Sequence, residues 1–140
     1  MSAENLTFVT FEEDAPITIG TLANTKMLEG TTVTDFGAQV LEYATARTGL
    51  NLLLDFAMID YLASAALTEL IKINDAVVAG GGALRICGLL PNIEKVFEIT
   101  NFTKVFEISP GEGVEHAKAR FKRAIEISKE EEAWDKRHER

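Results

Sequence analysis

The hydrophobic pattern near the start of the chain predicts a β-hairpin. Apolar side chains alternate over residues 6–11, a second apolar run covers residues 17–19, and residues 13–16 favour a turn between the two. Residues 20–30 show no sustained period, so we expect them to be the end of a strand followed by a loop.

From Thr34 onward the apolar positions follow a helical period. The buried face of this helix is predicted to consist of Phe36, Val40, Tyr43 and Ala44. Thr34 has the chemistry of an N-cap and Gly49 that of a stop signal, so we expect the helix to lie between them.

A strand, a loop and the start of a helix follow one another in residues 52–67. Residues 50–56 are almost entirely apolar, which is typical of a strand covered on both faces, and a helical spacing begins at Leu67. Because open α/β sheets bind ligands and partners at the carboxyl ends of their strands, we expect function in the loop over residues 58–64.

The rest of the chain repeats the alternation of helix and strand. After the glycines at 80–82, residues 83–90 predict a buried strand, Pro91 opens a short helix that closes near Asn101, and residues 104–108 predict the last strand. Residues 110–113 predict a turn. The core-facing side of a long final helix is predicted to hold Val114, Ala117, Phe121, Ala124, Ile125 and Ser128.

This order of elements predicts an α/β fold with a mixed β-sheet. Parallel βαβ crossovers follow an antiparallel N-terminal hairpin, and four main helices cover the sheet. We expect one domain over residues 1–128, and a charged C-terminal tail or helix extension over residues 129–140 in which Trp134 is a potential anchor.

The composition and net charge of the chain limit the classes of function that it can have. A chain of 140 residues with 46% hydrophobic residues suits a single domain, and a net charge of −8 argues against nucleic-acid binding, because phosphates require clustered basic residues. No segment is long and apolar enough for a membrane span, so we expect a cytoplasmic protein that makes no membrane contact. The single cysteine, Cys87, is predicted to be a buried strand thiol.

Candidate catalytic and metal-binding residues are few. His116 lies on the final helix and His138 in the charged tail, where exposed structural roles are expected, and Ser64 lacks the flanking glycines of a nucleophile elbow. Asp55 and Asp60 alone do not build a metal site, so we expect no enzyme activity, no cofactor and no metal. Asp55 is expected to bond to nearby loop backbone, whereas Asp60 is either a partner contact or a solvated turn acid.

Residues 51–108 resemble the STAS domain, the fold of bacterial anti-sigma factor antagonists and of sulfate-transporter tails. The resemblance rests on the strand at 52–56, the loop and helix start at 59–67, the glycine-rich turn before 84–88, and the run over 91–102. It implies a protein-binding module rather than an enzyme.

The resemblance also implies a phosphorylation switch at the helix start. Family members carry an Asp-Ser-Ser-Gly type motif there, and a serine-kinase anti-sigma partner phosphorylates a hydroxyl in it. In this chain Ala63 replaces the acid, Ser64 matches the first hydroxyl, Ala65 occupies the usual acceptor position, and Ala66 replaces the glycine. Ser64 is therefore either an N-cap or a displaced phospho-acceptor.

These observations give a leading hypothesis and alternatives to it. The chain is expected to bind an anti-sigma factor or a related serine-kinase-like signalling protein. The residues expected to make this contact are Asp60, Tyr61, Leu62, Ser64 and Leu67, the two leucines if they are exposed. The alternative is a non-switching structural subunit of a larger assembly that self-associates through the tail and Trp134. Binding of a small molecule or lipid ranks last.

Overall fold

The computed structural model describes residues 6–109 and 113–138, in which strands and helices alternate. The strands are β1 (Val9–Asp14), β2 (Ile17–Leu22), β3 (Met27–Leu28), β4 (Asn51–Asp55), β5 (Tyr61–Leu62), β6 (Ala83–Cys87) and β7 (Glu107–Ser109). The helices are α1 (Thr31–Thr45), α2 (Ser64–Ala79), α3 (Pro91–Ile99) and α4 (Val114–His138), and a short 3-10 helix (Phe102–Lys104) precedes β7.

The main sheet has five strands in the spatial order β1-β2-β4-β6-β7. β1 and β2 pair antiparallel, and every other neighbouring pair in this sheet is parallel. β3 and β5 form a separate two-stranded parallel ladder. The predicted mixed sheet with an N-terminal hairpin, parallel crossovers and four helices is confirmed.

The central strand β4 shows why three consecutive leucines lie in its middle. Leu52 and Leu54 point into the larger hydrophobic cluster under α1, α2 and α3, whereas Leu53 points into a smaller cluster under α4. Side chains alternate across a strand, so both sets are buried only because helices cover both faces of the sheet.

Helix α4 is attached to the sheet by its first half. Ala117 and Phe121 are buried against the sheet. The Asp14 carboxylate of β1 contacts the Lys118 ammonium at 3.0 Å and the Lys122 ammonium at 2.8 Å. Residues 126–137 are all exposed, so the second half of the helix extends away from the core. α4 crosses the proposed boundary at residue 128 without interruption, and that domain division stays a prediction.

The predicted turn at 13–16 and the predicted start of α1 were wrong in detail. Glu13 and Asp14 belong to the β1–β2 ladder, which leaves a shorter connection to Ile17. Helix α1 begins at Thr31, with Gly30 rather than Thr34 before its first turn. Backbone hydrogen bonds in the turn after β3 already form the first turn of the helix. The helix therefore needs no cap at the later residue Thr34.

The segment before the last strand also differs from its prediction. Lys104 ends the 3-10 helix instead of starting a strand, and the backbone N–H of Phe106 donates to the Phe102 carbonyl at 3.0 Å. Phe106 is buried edge-on to Phe97 of α3, so this apolar run packs as a turn and β7 begins only at Glu107. Residues 110–112 of the predicted turn lie outside the described residues.

The predicted strand over 83–90 ends earlier than expected. β6 stops at Cys87, and residues 88–90 connect it to α3. The predicted helix from Pro91 is confirmed, and Asn101 follows it with a φ of 64° that reverses the chain. Among the described residues, no helix combines the length and apolar character that crossing a bilayer requires.

Candidate functional site

The turn after β4 is built by backbone hydrogen bonds around buried side chains. The Phe56 N–H donates to the Cys87 carbonyl at the end of β6, and the Ile59 N–H donates to the Phe56 carbonyl, both at 2.9 Å. The Asp55 Oδ1 accepts a hydrogen bond from the Ala57 N–H at 3.0 Å, which confirms its expected bond to loop backbone. Phe56 and Ile59 are fully buried, so the turn is fixed from beneath.

Gly88 leaves the space that this turn requires. A Cβ at this position would collide with the Asp55 carboxylate and lie 3.1 Å from the Ala57 nitrogen, and the residue has a φ of 74°. Glycine alone adopts that conformation without a side-chain penalty. Gly88 was not predicted as a functional residue, although a glycine directly after a buried strand is a usable signal.

The second half of the loop is held by β3. The Asp60 N–H donates to the Lys26 carbonyl at 2.8 Å, and the Ala63 N–H donates to the Leu28 carbonyl at 2.9 Å. Residues 58–64 were predicted to be loop throughout, but the part between these two bonds is strand β5. A two-residue strand carries no readable period, so its pairing with β3 could not be predicted locally.

The start of α3 supports the same segment from another side. The Asn92 Nδ2 donates to the Asp60 carbonyl oxygen at 2.9 Å. The Asp60 residue itself is exposed, as both of its predicted roles require. Backbone bonds from β3 and a side-chain bond from α3 therefore hold one short segment, which limits its conformational freedom before any partner binds.

Three large apolar side chains are exposed around this segment. Met27, Met58 and Tyr61 keep 42%, 47% and 46% of their surface exposed. Met27 is the register partner of Tyr61, so these two are neighbours across the β3–β5 ladder. Met27 was missed by the sequence analysis because only the fold brings residue 27 beside residue 61.

We name this region the corner surface. It consists of Lys26, Met27, Met58, Asp60, Tyr61, Ser64 and Ala65, all of which are exposed. It lies where β4 ends, the edge at which function was expected.

Leu62 and Leu67 are not part of the corner surface. Both are buried in the larger hydrophobic cluster, so the condition for their predicted apolar contact with a partner is not met. Tyr61 points outward, so its strand neighbour Leu62 points inward, and Leu67 shares the buried face of α2 with Leu70. These leucines support the corner surface from inside the protein.

Ser64 is the first residue of α2 and not its N-cap, so the predicted capping role was wrong. The N-cap is Ala63, in an extended conformation and without a side-chain capping bond. The hydrogen bond from Ala63 to Leu28 keeps Ala63 in line with β5, and the helix therefore begins at Ser64, one residue earlier than a cap at Ser64 requires. Ser64 and Ala65 are both exposed at the first turn of α2.

The other chemical candidates have structural roles or lie apart from the corner. Burial and the nearby Asp55 charge raise the pKa of the buried Cys87 thiol to about 12, which keeps it protonated and unreactive. His116 is exposed on α4, and the side chain of His138 lies outside the described residues. Within residues 6–109 and 113–138, no group of His, Cys, Asp or Glu residues is arranged to hold a metal ion.

The glycines after α2 allow two backbone segments to lie close together. Gly81 has a φ of 88°, and a Cβ on Gly82 would collide with the Leu50 backbone. The Gly49 N–H donates to the Gly80 carbonyl at 2.7 Å. These contacts explain the glycines as the tight connection from α2 to β6.

Comparison with known proteins connects this geometry to a family. The STAS domain profile matches residues 20–114. Over 75 residues the chain is 32% identical to BtrV of Bordetella bronchiseptica, which is assigned as an anti-sigma factor antagonist. This match covers 54% of the chain and 63% of BtrV, so the chain spans less than two thirds of that relative.

Solved structures show the same fold at low sequence identity. An anti-sigma factor antagonist (STAS) domain protein from Planctomyces limnophilus matches with a TM-score of 0.72 and 15% identity over 81% of this chain and 97% of that one. An anti-sigma factor antagonist from Mycobacterium paratuberculosis matches with a TM-score of 0.69 and 13% identity over 81% and 92%. The profile covers more than half of the sequence and the fold agrees, so the chain belongs to the STAS domain family.

Proposed function

We propose that this chain is a protein-binding signalling module that engages an anti-sigma factor, or a related serine-kinase-like protein, through the corner surface. The observation that carries the proposal is the set of half-exposed side chains Met27, Met58 and Tyr61 on a hydrogen-bonded support. The family and the likeness to BtrV support the class of partner.

The chemistry of the corner surface suits protein recognition. Methionine and tyrosine are enriched in protein interfaces, where they bury large areas at low cost in conformational entropy. Lys26 and Asp60 add one charge of each sign at its edge. Since the backbone beneath these residues is already fixed, little ordering free energy is lost on binding.

Regulation of this binding depends on Ser64 and Ala65. Ala65 occupies the position at which the family carries its acceptor hydroxyl, so phosphate transfer is restricted to the neighbouring Ser64 or does not occur. Phosphate on Ser64 would lie at the N-terminus of α2, where the helix dipole favours negative charge. It would also add charge beside Tyr61 and weaken a docked apolar partner.

Binding is tested by isothermal titration calorimetry with the anti-sigma factor of the same organism. Tyr61→Ala and Met27→Asp each remove apolar contact and are expected to weaken binding at least about tenfold. Val78→Asp is the matched control, because Val78 is an exposed apolar residue near the far end of α2. All variants should keep a folded circular-dichroism spectrum. Wild-type affinity in both corner variants would sink the proposal.

The switch is tested separately with the partner kinase and ATP. Mass spectrometry is expected to find phosphate on Ser64 in the wild type and none in Ser64→Ala. An unmodified wild type combined with transfer to Ala65→Ser would establish a binder that lacks the switch. Binding by phosphorylated protein at wild-type affinity would contradict the regulatory role of Ser64.

A second candidate role is a non-switching structural subunit of a signalling assembly. The observations that favour it are the alanine at position 65 and the half-exposed Trp134 on the projecting part of α4. In this role the corner surface would hold its partner permanently. Loss of binding on phosphorylation of Ser64 would exclude it.

A further inference from the structure

The projecting half of α4 carries two large apolar side chains on one side. Ile127 and Trp134 keep 41% and 53% of their surface exposed. They are seven residues apart, which places them on the same side of a helix, roughly 10 Å apart along its axis. Neither belongs to the two hydrophobic clusters of the fold.

The same side of the helix also carries charged residues, which are positive before Ile127 and negative after it. Arg120 and Arg123 precede Ile127 at helical spacing, whereas Glu130 and Glu131 lie between Ile127 and Trp134. We name Arg120, Arg123, Ile127, Glu130, Glu131 and Trp134 the outer stripe. Arg123 contacts Glu126 at 3.8 Å, but both side chains are largely exposed, and such pairs exchange partners at little cost.

A groove runs along the basic half of the outer stripe. It has a volume of about 390 Å³ and is lined by Arg85, Ala119, Arg120, Arg123, Ala124 and Ile127. Alanine and isoleucine side chains give it apolar walls, and three guanidinium groups surround them. Such a site suits an aromatic ring, which buries its area against the apolar walls and attracts cations to its face.

We propose that α4 pairs antiparallel with α4 of a second copy of this chain, around a two-fold axis near Ile127. Residues equally distant from Ile127 then meet across the axis. Arg123 faces the partner subunit's Glu131, and Arg120 faces the partner subunit's Trp134. The indole enters the groove, and the same contacts occur twice because the interface is isologous.

The order of positive and negative charges along the outer stripe favours the antiparallel orientation. It also favours a second copy of this chain as the partner. In a parallel pair the arginines of the two helices would meet each other, as would the glutamates, and like charges repel. In the antiparallel pair Arg123 meets an opposite charge and Arg120 meets a ring. A second copy also supplies a tryptophan and glutamates at the spacing that the arginines and the groove require.

The pairing leaves the rest of the molecule undisturbed. Lys118 and Lys122, which hold α4 to Asp14, lie on the opposite side of the helix from Arg120. The corner surface is built from β3, the turn after β4, β5 and the start of α2, with Lys26 directly before β3, and contains no residue of α4. The pairing is therefore independent of the proposed binding of an anti-sigma factor.

Sedimentation equilibrium of the full chain tests the pairing. The wild type is expected to form a dimer whose dissociation constant rises with salt, because exposed ion pairs are screened. Trp134→Ala removes the ring from the groove and should raise the dissociation constant at least about tenfold. Lys95→Glu on α3 is the control for a change of charge and should leave the dimer intact.

A charge exchange tests the register. Arg123→Glu should weaken the dimer by roughly tenfold, because it places like charges together at two symmetric positions. Adding Glu131→Arg should restore wild-type association. A monomeric wild type overturns the proposal, as does a dimer that tolerates both Trp134→Ala and Arg123→Glu. A double variant as weak as the single one overturns the antiparallel register.

Discussion

The two faces of the sheet are covered to very different extents. On one face α1, α2 and α3 bury the larger hydrophobic cluster, which includes Phe36, Leu54 and Leu70. On the other face α4 alone covers a smaller cluster around Leu53 and Phe121, and ion pairs at Asp14 add to its attachment. The first face gives a continuous core, and the second gives one helix fixed along half its length.

This difference assigns separate tasks to the two faces. The corner surface rests on the well-covered face, because Phe56 and Ile59 under its turn belong to the larger cluster. A binding surface on that support keeps its shape as long as the domain is folded. α4 can loosen locally while the opposite face stays intact, since its contacts form a small and separable set.

Removing a ring from the well-covered face should have the largest effect. Phe36 is fully buried and lies edge-on to Phe56, with 6.3 Å between the ring centroids. Phe36→Ala is expected to lower the free energy of unfolding by about 3–5 kcal/mol, because it leaves a cavity beside the turn. Urea denaturation followed by circular dichroism measures this. A loss below about 1 kcal/mol would contradict the continuous core.

Removing a ring from the α4 face should have a smaller and more local effect. Phe121→Ala is expected to cost about 2–4 kcal/mol, because the cavity lies under a single helix that can shift to fill it. Hydrogen exchange should speed up in α4 while β4 stays protected. Equal loss of protection in β4 and α4 would show that the two faces unfold as one unit.

The smallest expected effect is that of the ion pairs at Asp14. Hydrogen bonds from Lys122 and Lys118 hold the pKa of Asp14 below its ordinary value, and the bond to Asp14 raises the pKa of Lys118. Because the carboxyl pKa is lowered in the folded protein, ionised Asp14 stabilises the fold at pH values above the pKa of the unfolded chain. This stabilisation is lost as pH falls through the pKa of the folded protein. The Lys118 contribution is present at neutral pH and is lost as pH rises through its folded pKa.

Melting temperatures of the wild type and Asp14→Asn across a pH series measure this contribution. The wild type should melt slightly higher at neutral pH, and the difference should shrink as pH falls through the lowered pKa of the folded Asp14 carboxyl. High salt should also reduce the difference, because the groups are partly exposed. A constant difference across the acid range would show that Asp14 stabilises β1 without its charge.

Most of the fold could be predicted because each main element carries its own period. Residues 52–54 are apolar without alternation because β4 is covered on both faces, and Ala117 and Phe121 recur at helical spacing because one side of α4 packs on the sheet. The end of β4 was chosen as the place of function because open α/β sheets bind partners at the carboxyl ends of their strands, and the STAS profile confirms the family resemblance.

The details of the corner could not be predicted because they depend on distant partners. The pairing of Met27 with Tyr61 brings β3 to β5, and it decides that Tyr61 is exposed while Leu62 is buried. The bond from Ala63 to the Leu28 carbonyl moves the start of α2 to Ser64. No window of sequence around Ser64 contains that information, so an N-cap was the natural but incorrect expectation.

Trp134 is the only tryptophan in the sequence, and it lies on the projecting half of α4. The chain therefore carries one dominant intrinsic fluorophore, placed outside both hydrophobic clusters. Its emission should change little when the core melts, and should shift to the blue when a second copy covers the indole. Fluorescence and circular dichroism will thus report two different transitions of the same molecule, association in the first case and folding in the second.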